Sequence, residues 1–176
     1  DWSTARVQDK LDGSLCVIYS YDNQWHVQTS GTPDASGEVE GFGLTFKDLF
    51  WKTWEKLEYK ALPTVALEDK YFSYIFELMT PYNKIVCRYP KERIVLLGGR
   101  HFCPCGAPEH IKEYLPEDCP YQDWERVKSY PLTSFEEIVE ACKAINPMER
   151  EGYVVVDGNF NRVKVKSPQY ISLNNL

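Results

Sequence analysis

The sequence lacks the features of membrane-spanning, exported and strongly basic nucleic-acid-binding proteins. It has no run of about eighteen apolar residues, so we predict no transmembrane helix and expect no membrane partner. No charged-then-apolar leader precedes Lys10, so we expect no targeting peptide. The net charge of −6, from 20 Lys and Arg against 26 Asp and Glu, argues against nucleic-acid binding by bulk electrostatics alone.

Cysteine is present but follows no disulfide framework. Six cysteines at irregular spacing in 176 residues predict thiols in a reducing compartment, cytoplasmic or otherwise intracellular. His101, Cys103 and Cys105, with His110 and Cys119 nearby, raise the alternative of a zinc site. The Cys-Pro-Cys spacing fits poorly with the usual Cys-x2-Cys pair, so the favoured prediction is a surface loop rich in proline and glycine.

The chain also lacks repeats, low-complexity tracts and linkers, and 43% of its residues are apolar. We therefore predict one domain over residues 1–176. Alternating apolar residues predict a hairpin from Leu15–Tyr21 and Trp25–Thr29. An aromatic-rich run predicts a strand over Tyr71–Met79, and a continuous apolar run predicts a short buried strand over Ile94–Leu97 that Gly98-Gly99 ends.

Two capping patterns predict helices. Thr45 followed by Asp48 begins one, and Ser134 followed by Glu137 begins another that runs through Ile145. Mixed helical and strand patterns in one chain of this size predict an α+β fold.

Lys10 stands immediately before an Asp-Gly turn at the mouth of the first predicted hairpin. A rigid position of this kind suits a covalent lysine nucleophile, although a bare Lys-x-Asp-Gly is more often an ordinary loop. The amine must also lose its proton before it can act as a nucleophile, which neighbouring cations and partial desolvation favour.

A second hairpin is predicted from Tyr153–Val156 and Arg162–Lys166, joined through Asp157-Gly158-Asn159. Since side chains alternate along a strand, Lys164 and Lys166 share one face. Two ammonium groups on one face suit an anion such as a triphosphate; the alternative is a pair of lysines that protects a sheet edge.

Four motifs occur in order from one end of the chain to the other, and their residues resemble the signature of the covalent lysyl-nucleotidyltransferases. Within that superfamily the resemblance is closest to RNA ligases of the bacteriophage RNA ligase 1 type. The motifs are Lys10-x-Asp12-Gly13-Ser14-Leu15, Phe76-Glu77-x5-Asn83-Lys84-Ile85-Val86, Glu151-Gly152-Tyr153-Val154, and Lys164-x-Lys166-Ser167 with Tyr170.

This resemblance implies an ATP-grasp-like nucleotidyltransferase domain in which two twisted antiparallel sheets flank a nucleotide cleft. It further implies an ATP-dependent RNA ligase, active in RNA repair. Lys10 attacks the ATP α-phosphate to form lysyl-AMP, AMP passes to a 5′-phosphate RNA end, and a 3′-hydroxyl displaces AMP to seal the strand. Magnesium, with manganese as an alternative, is expected at each transfer. The implied partners are ATP and RNA, and we expect a monomer.

The resemblance also assigns roles to individual residues. Glu77 accepts hydrogen bonds from the ribose, Glu151 acts at the metal directly or through water, and Val154 and Leu97 contact the two faces of adenine. The predicted catalytic residues are Lys10, Glu151, Lys164 and Lys166, of which the last two hold the α-phosphate and the leaving group. The predicted nucleotide-binding residues are Gln8, Lys10, Leu11, Glu77, Leu97, Glu151, Val154, Lys164 and Lys166.

Three alternatives remain open at this point. Two belong to the same superfamily, an mRNA guanylyltransferase core and a DNA ligase core. The third is a module that binds a nucleotide or an RNA end without turnover. Phage-type RNA ligases carry a longer basic segment before the nucleophile and accessory domains after the last motif, so we expect the 176 residues to be a fragment of a longer ligase.

Overall fold

A computed structural model of the chain describes residues 1–29, 34–39, 41–60, 62, 71–119 and 123–176. These residues form antiparallel sheets and short helices, as the α+β prediction required. They group into two compact units, the first made of Asp1–Gly13, Lys84–Pro90 and Val127–Leu176, the second of Ser14–Asn83 and Lys91–Arg126. None of the helices in the described ranges has the length and apolar character needed to cross a bilayer.

The first unit is built on a four-stranded sheet in the order β11-β10-β1-β9. Alternation along β1 and β10 gives this sheet one apolar face, and α2 contributes to the cluster that covers it. The elements of the unit are β1 (Arg6–Lys10), β9 (Ser129–Tyr130), α2 (Phe135–Lys143), β10 (Gly152–Val156), β11 (Arg162–Lys166) and α3 (Pro168–Asn174).

The second unit is built on a five-stranded sheet in the order β3-β2-β6-β7-β8, with a separate β4–β5 ribbon. Its buried cluster is rich in aromatic side chains, among them Phe50, Trp54, Tyr74, Phe76 and Trp124. The elements of the unit are β2 (Ser14–Tyr21), β3 (Gln24–Thr29), β4 (Glu38–Val39), β5 (Leu44–Thr45), α1 (Phe46–Lys56), β6 (Phe72–Met79), β7 (Arg93–His101) and β8 (Lys112–Tyr114).

Both predicted hairpins and both predicted helix starts are confirmed. The turn between β2 and β3 uses positive φ at Asp22 and Asn23, which suits a two-residue hairpin connection. The Thr45 hydroxyl accepts a hydrogen bond from the Asp48 amide at the start of α1, and the Ser134 hydroxyl accepts one from the Glu137 amide at the start of α2.

Two predicted boundaries are wrong. Strand β7 does not end at Gly98-Gly99 but runs through both glycines to His101. The glycines serve close packing instead, because a Cβ at Gly98 would lie 2.7 Å from the Tyr114 carbonyl oxygen. Helix α2 ends at Lys143 rather than at Ile145. The amides of Ala144 and Ile145 donate to carbonyls only three residues back, which is the pattern of a 3₁₀ turn.

Candidate active site

One face of the four-stranded sheet collects the predicted phosphate-binding side chains. In β1, Gln8 and Lys10 alternate with Val7, which is buried in the apolar cluster, so both point away from that cluster. Lys10 is in register with Gly152, and Gly152 with Lys166. The glycine between the two lysines carries no side chain to separate them, and a Cβ at this position would collide with the Val165 carbonyl oxygen.

Glu151 brings two of these lysines together. Its Oε1 atom lies 2.9 Å from Lys10 Nζ and 3.5 Å from Lys166 Nζ. The Glu151 side chain is 5% exposed, whereas the Lys166 side chain is 43% exposed. A buried carboxylate therefore holds the Lys10 amine in a fixed place, while the Lys166 ammonium remains accessible to an anion from solvent.

The neighbouring register row completes the polar face. Gln8 pairs with Val154 and Val154 with Lys164, so these three side chains lie next to the lysine pair on the same face. Lys164 is exposed, Val154 is half-buried and Gln8 is buried. Leu11, also predicted to bind the nucleotide, is 6% exposed and packs in the interior. Three lysines against one carboxylate give this face a net positive charge.

Asp12 fixes the turn that follows Lys10. It is 2% exposed. Its Oδ2 accepts hydrogen bonds from the backbone amides of Val86 and Cys87 at 2.8 and 2.7 Å, and its backbone amide donates to Tyr89 Oη at 2.8 Å. The Lys10 turn is therefore attached to a segment more than seventy residues away. A buried carboxylate with several charge-assisted bonds is a rigid support for the residue beside it.

Tyr170 supplies the third hydrogen bond to the Asp12 carboxylate. Its hydroxyl donates to Asp12 Oδ1 at 2.6 Å, and its own amide donates to the Ser167 hydroxyl, which caps α3. Burial and the Asp12 carboxylate both raise the pKa of Tyr170 well above its usual value, so the phenol stays protonated as a donor. Burial and the same carboxylate raise the pKa of the Cys87 thiol to about 12.

Our sequence reasoning did not give Asp12 a role in the site. The Asp-Gly turn itself indicates such a role, because a residue beside a nucleophile can hold it in position. The Asn83-Lys84-Ile85-Val86 run also has a structural part to play, because Val86 is one of the donors to Asp12. Within the second unit, Asn83 Nδ2 donates to Ser14 Oγ at 3.0 Å and to the Leu78 carbonyl at 2.8 Å.

The remaining two predicted site residues, Glu77 and Leu97, belong to the five-stranded sheet. Glu77 is half-buried on β6, in register with Leu15 on one side and Val95 on the other. Leu97 is half-buried on β7, beside the irregularity between Ile75 and Phe76. Both positions suit contact with a ligand, since neither side chain lies in the interior of the aromatic cluster.

A cavity of about 350 Å³ opens on the five-stranded sheet. Its walls are formed by Val17, Tyr19, Ser20, Gln28, Tyr71, Phe72, Ser73, Ile75, Arg100 and Phe102. Neither Glu77 nor Leu97 is among these wall residues, so cavity size alone does not identify the predicted nucleotide site.

The polar face of the four-stranded sheet has the chemistry for an anionic substrate. Lys10 is placed beside a buried proton acceptor, and Lys164 and Lys166 offer positive charge along the same face. Glu151 offers the oxygen type that Mg²⁺ prefers. Because its Oε1 already contacts two ammonium groups, the site fits a metal ion that arrives with a polyphosphate better than one bound by the protein alone.

The chain matches the model of a family described as RNA ligase over residues 2–170. An RNA ligase of Rhodothermus phage RM378 is 28% identical over 204 aligned positions, which cover 97% of this chain and 46% of that protein. A protein of Autographa californica nuclear polyhedrosis virus, described as a bifunctional polynucleotide kinase/RNA ligase, is 30% identical over 172 positions, covering 94% of this chain and 23% of the relative. The chain thus spans less than half the length of these curated relatives.

Among solved structures, the fold is similar to that of a mutant Naegleria gruberi RNA ligase determined with ATP and Mn. The TM-score is 0.58 at 13% sequence identity. The similarity covers 98% of this chain and 52% of the other. At this identity the likeness concerns the fold.

Proposed function

We propose a function from the premise that this chain belongs to the RNA ligase family, whose model matches residues 2–170. In this proposal it is the adenylyltransferase core of an ATP-dependent RNA ligase, with Lys10 as the nucleophile. The observation that carries the proposal is the 2.9 Å contact between Lys10 Nζ and the buried Glu151 carboxylate, with Lys166 on the same oxygen.

The first step transfers AMP to Lys10. Glu151 Oε1 is within hydrogen-bond distance of Nζ and is the group positioned to take its proton. The neutral amine attacks the α-phosphorus of ATP, a P–N bond forms, and the P–O bond to pyrophosphate breaks. Such a transfer depends mainly on in-line positioning and on neutralising charge, which a fixed lysine beside two others supplies.

Lys164 and Lys166 bind the phosphates in this proposal. Their ammonium groups on one sheet face neutralise charge that develops on the α-phosphate and on the leaving pyrophosphate. A divalent cation such as Mg²⁺ or Mn²⁺, when bound with the nucleotide, adds charge neutralisation on the non-bridging oxygens, and Glu151 is the residue suited to hold it.

The nucleoside contacts are proposed from the family resemblance. Glu77 accepts hydrogen bonds from the ribose hydroxyls, and Leu97 and Val154 contact adenine. Gln8 lies on the polar face beside Lys10 and suits a direct contact, whereas the buried Leu11 supports the turn from within. That two sheets flank a nucleotide cleft stays a prediction, as does the treatment of residues 1–176 as one adenylyltransferase domain of a longer ligase.

The second and third steps act on RNA. The lysyl-AMP is attacked by the 5′-phosphate of an RNA end, which forms an adenylylated end and frees Lys10. A 3′-hydroxyl then attacks that activated phosphorus, a phosphodiester forms, and AMP leaves. The names of the curated relatives support RNA as the polynucleotide. The monomeric state and the intracellular location also stay predictions.

The test is covalent labelling. The purified chain is incubated with α-labelled ATP and magnesium, and intact mass is compared with that of Lys10→Ala and of a GTP reaction. We expect an AMP-sized increase that requires Lys10 and is absent with GTP. Lys56→Ala is the matched control, because Lys56 is also ion-paired to a glutamate, at 2.7 Å from Glu92, and should leave the adduct intact.

Two results would contradict the proposal. ATP binding by a folded chain without any adduct, in the chain as given and in the full-length protein, would support the non-catalytic binding module. An adduct formed from GTP in preference to ATP would instead support the guanylyltransferase alternative. If the adduct forms, transfer to 5′-phosphate RNA against nicked DNA separates RNA ligase from DNA ligase.

A further inference from the structure

We propose a zinc-binding site in the loop between β7 and β8, residues 102–111, with Cys103, Cys105 and His110 as its ligands. The donor atoms of these three side chains all lie within 4.8 Å of one another. Cys105 Sγ is 3.1 Å from His110 Nδ1, and the structure pairs Cys103 with Cys105 as a disulfide. The three residues converge although the proposed ligase chemistry needs none of them.

The backbone of the loop is folded so that the donors face one point. Gly106 adopts a positive φ of 75° and its amide donates to the Cys103 carbonyl, which turns the chain directly after Cys105. The His110 amide donates to the Ala107 carbonyl, which turns the chain back toward the cysteines. The Cys105 amide also donates to Cys103 Sγ at 3.3 Å.

The types of the three donor atoms indicate which metal ion the site would bind. Two thiolates and one imidazole are ligands typical of zinc, and tetrahedral geometry requires roughly 3.5–3.8 Å between donor atoms. The three donors reach such spacings by small side-chain rotations, with the two sulfurs moving apart, because Cys105 and His110 are exposed and Cys103 is half-buried. The fourth coordination position is then open to water.

The charge of the loop agrees with a bound cation. Residues 102–111 contain one charged side chain of fixed sign, Glu109, and no lysine or arginine. Two thiolates there have no lysine or arginine within the loop to neutralise them, and a divalent ion would do so.

The disulfide between Cys103 and Cys105 is the oxidised state of this loop, and the proposed zinc site belongs to its reduced state. A bond across a single residue closes a very short loop, so it restricts the unfolded chain little. It would also leave unexplained why His110 lies against Cys105. A metal ion uses all three side chains and joins residues 103 to 110, which closes the end of the β7–β8 hairpin in a loop whose side chains are mostly exposed.

The experiment measures metal directly. The chain is purified in the presence of a reductant, dialysed against zinc, freed of excess ion and analysed for zinc by mass spectrometry. We expect about one zinc per chain, and near none in Cys103→Ser, Cys105→Ser and His110→Ala. Cobalt substituted for zinc should give a sulfur-to-metal charge-transfer absorption that the cysteine variants lose.

Two matched controls keep the test specific. Glu109→Gln changes a charged side chain of the same loop that is not a proposed ligand, and Cys119→Ser removes a nearby buried thiol outside the cluster. Both should retain the metal. Circular dichroism on every variant separates loss of zinc from loss of fold, and none of these measurements depends on adenylation.

Either of two outcomes overturns the proposal. One is a reduced and folded chain that binds no more zinc than the three ligand variants do. The other is zinc that persists in all three ligand variants, which would place it elsewhere. Isolation of the chain with Cys103 and Cys105 joined, and no metal uptake after reduction, would assign the pair to a disulfide.

Discussion

The four-stranded sheet and the five-stranded sheet each cover one face with apolar side chains, but they do so with different residues. The cluster on the four-stranded sheet is small and mainly aliphatic, with Val7, Ile138 and Val155 among its members. The cluster on the five-stranded sheet is larger and centred on aromatic rings, with Phe76 in contact with Phe50 and with two tryptophans.

The two sheets differ more on the faces that point away from these apolar clusters. On the four-stranded sheet the second face carries lysines, two of which are ion-paired to one buried glutamate. On the five-stranded sheet the second face carries a mixture of apolar, aromatic and polar side chains around the cavity described above. From this comparison we predict that stability is concentrated in the aromatic cluster and that, under the proposed function, reactivity lies on the lysine face, the face of the four-stranded sheet that carries Lys10, Lys164 and Lys166.

The largest expected effect tests the stability half of this comparison. Phe76→Ala should lower the free energy of unfolding by about 3–5 kcal/mol, because it removes a fully buried ring with three aromatic neighbours. Ile138→Ala, in the aliphatic cluster, should cost less, toward the lower end of about 2–5 kcal/mol. Urea unfolding of both variants measures the difference. A larger loss at Ile138 would contradict the comparison.

The second-largest expected effect tests whether reactivity depends on the lysines of the four-stranded sheet. Lys166→Ala and Lys164→Ala should each slow lysyl-AMP formation by about 10²–10³-fold, since each removes a positive charge from the phosphate-binding face. The free energy of unfolding should change by no more than about 0.5 kcal/mol, because both side chains are exposed. Single-turnover adenylation and urea unfolding on the same samples measure the two quantities.

Lys143→Ala is the matched control for these variants. Lys143 belongs to the same unit, is ion-paired to Glu140 at 2.8 Å and has a 61% exposed side chain, but it lies on α2. It should change neither the adenylation rate nor the stability. Equal slowing in Lys143→Ala would mean that overall charge, rather than the lysine face, governs the reaction.

The smallest expected effect concerns Asp12, which we expect to contribute both to stability and to reactivity. Asp12→Asn should lower the free energy of unfolding by about 1–3 kcal/mol, because the bonds from the Val86 and Cys87 amides lose their charge assistance and an amide nitrogen replaces the oxygen that accepts from the Tyr170 hydroxyl. Adenylation should slow as well, since Asp12 positions the Lys10 turn without contacting substrate. Chemical unfolding and labelling with ATP check both.

Asp157→Asn is the control for Asp12→Asn. Asp157 also accepts backbone hydrogen bonds, but it lies in an exposed turn where asparagine can take its place. Its effect on stability should stay within about 0.5 kcal/mol. If Asp12→Asn is as mild as this control, the buried network does not support the turn.

Local patterns in the sequence predicted much of this architecture. The two hairpins, the caps of α1 and α2, and the shared face of Lys164 and Lys166 follow from period-two alternation, turn residues and capping hydrogen bonds. These effects act between residues that are close in the chain, so they are readable without a structure. The Gly98-Gly99 prediction failed because those glycines answer a packing demand from Phe72 and Tyr114, which no local pattern contains.

The sequence by itself determined that a lysine precedes an Asp-Gly turn, that two more lysines share a strand face, and that the motifs occur in the order of a ligase family. Only the tertiary structure decided that Glu151 joins Lys10 to Lys166, that Asp12 is bonded to Val86 and Tyr170, and that Cys103, Cys105 and His110 converge. Most of these contacts link positions far apart in the chain. In the loop between β7 and β8, the backbone turns bring the three proposed zinc ligands together. Hydrogen bonds and ion pairs of this kind depend on distance and direction in space, which periodicity and spacing do not encode.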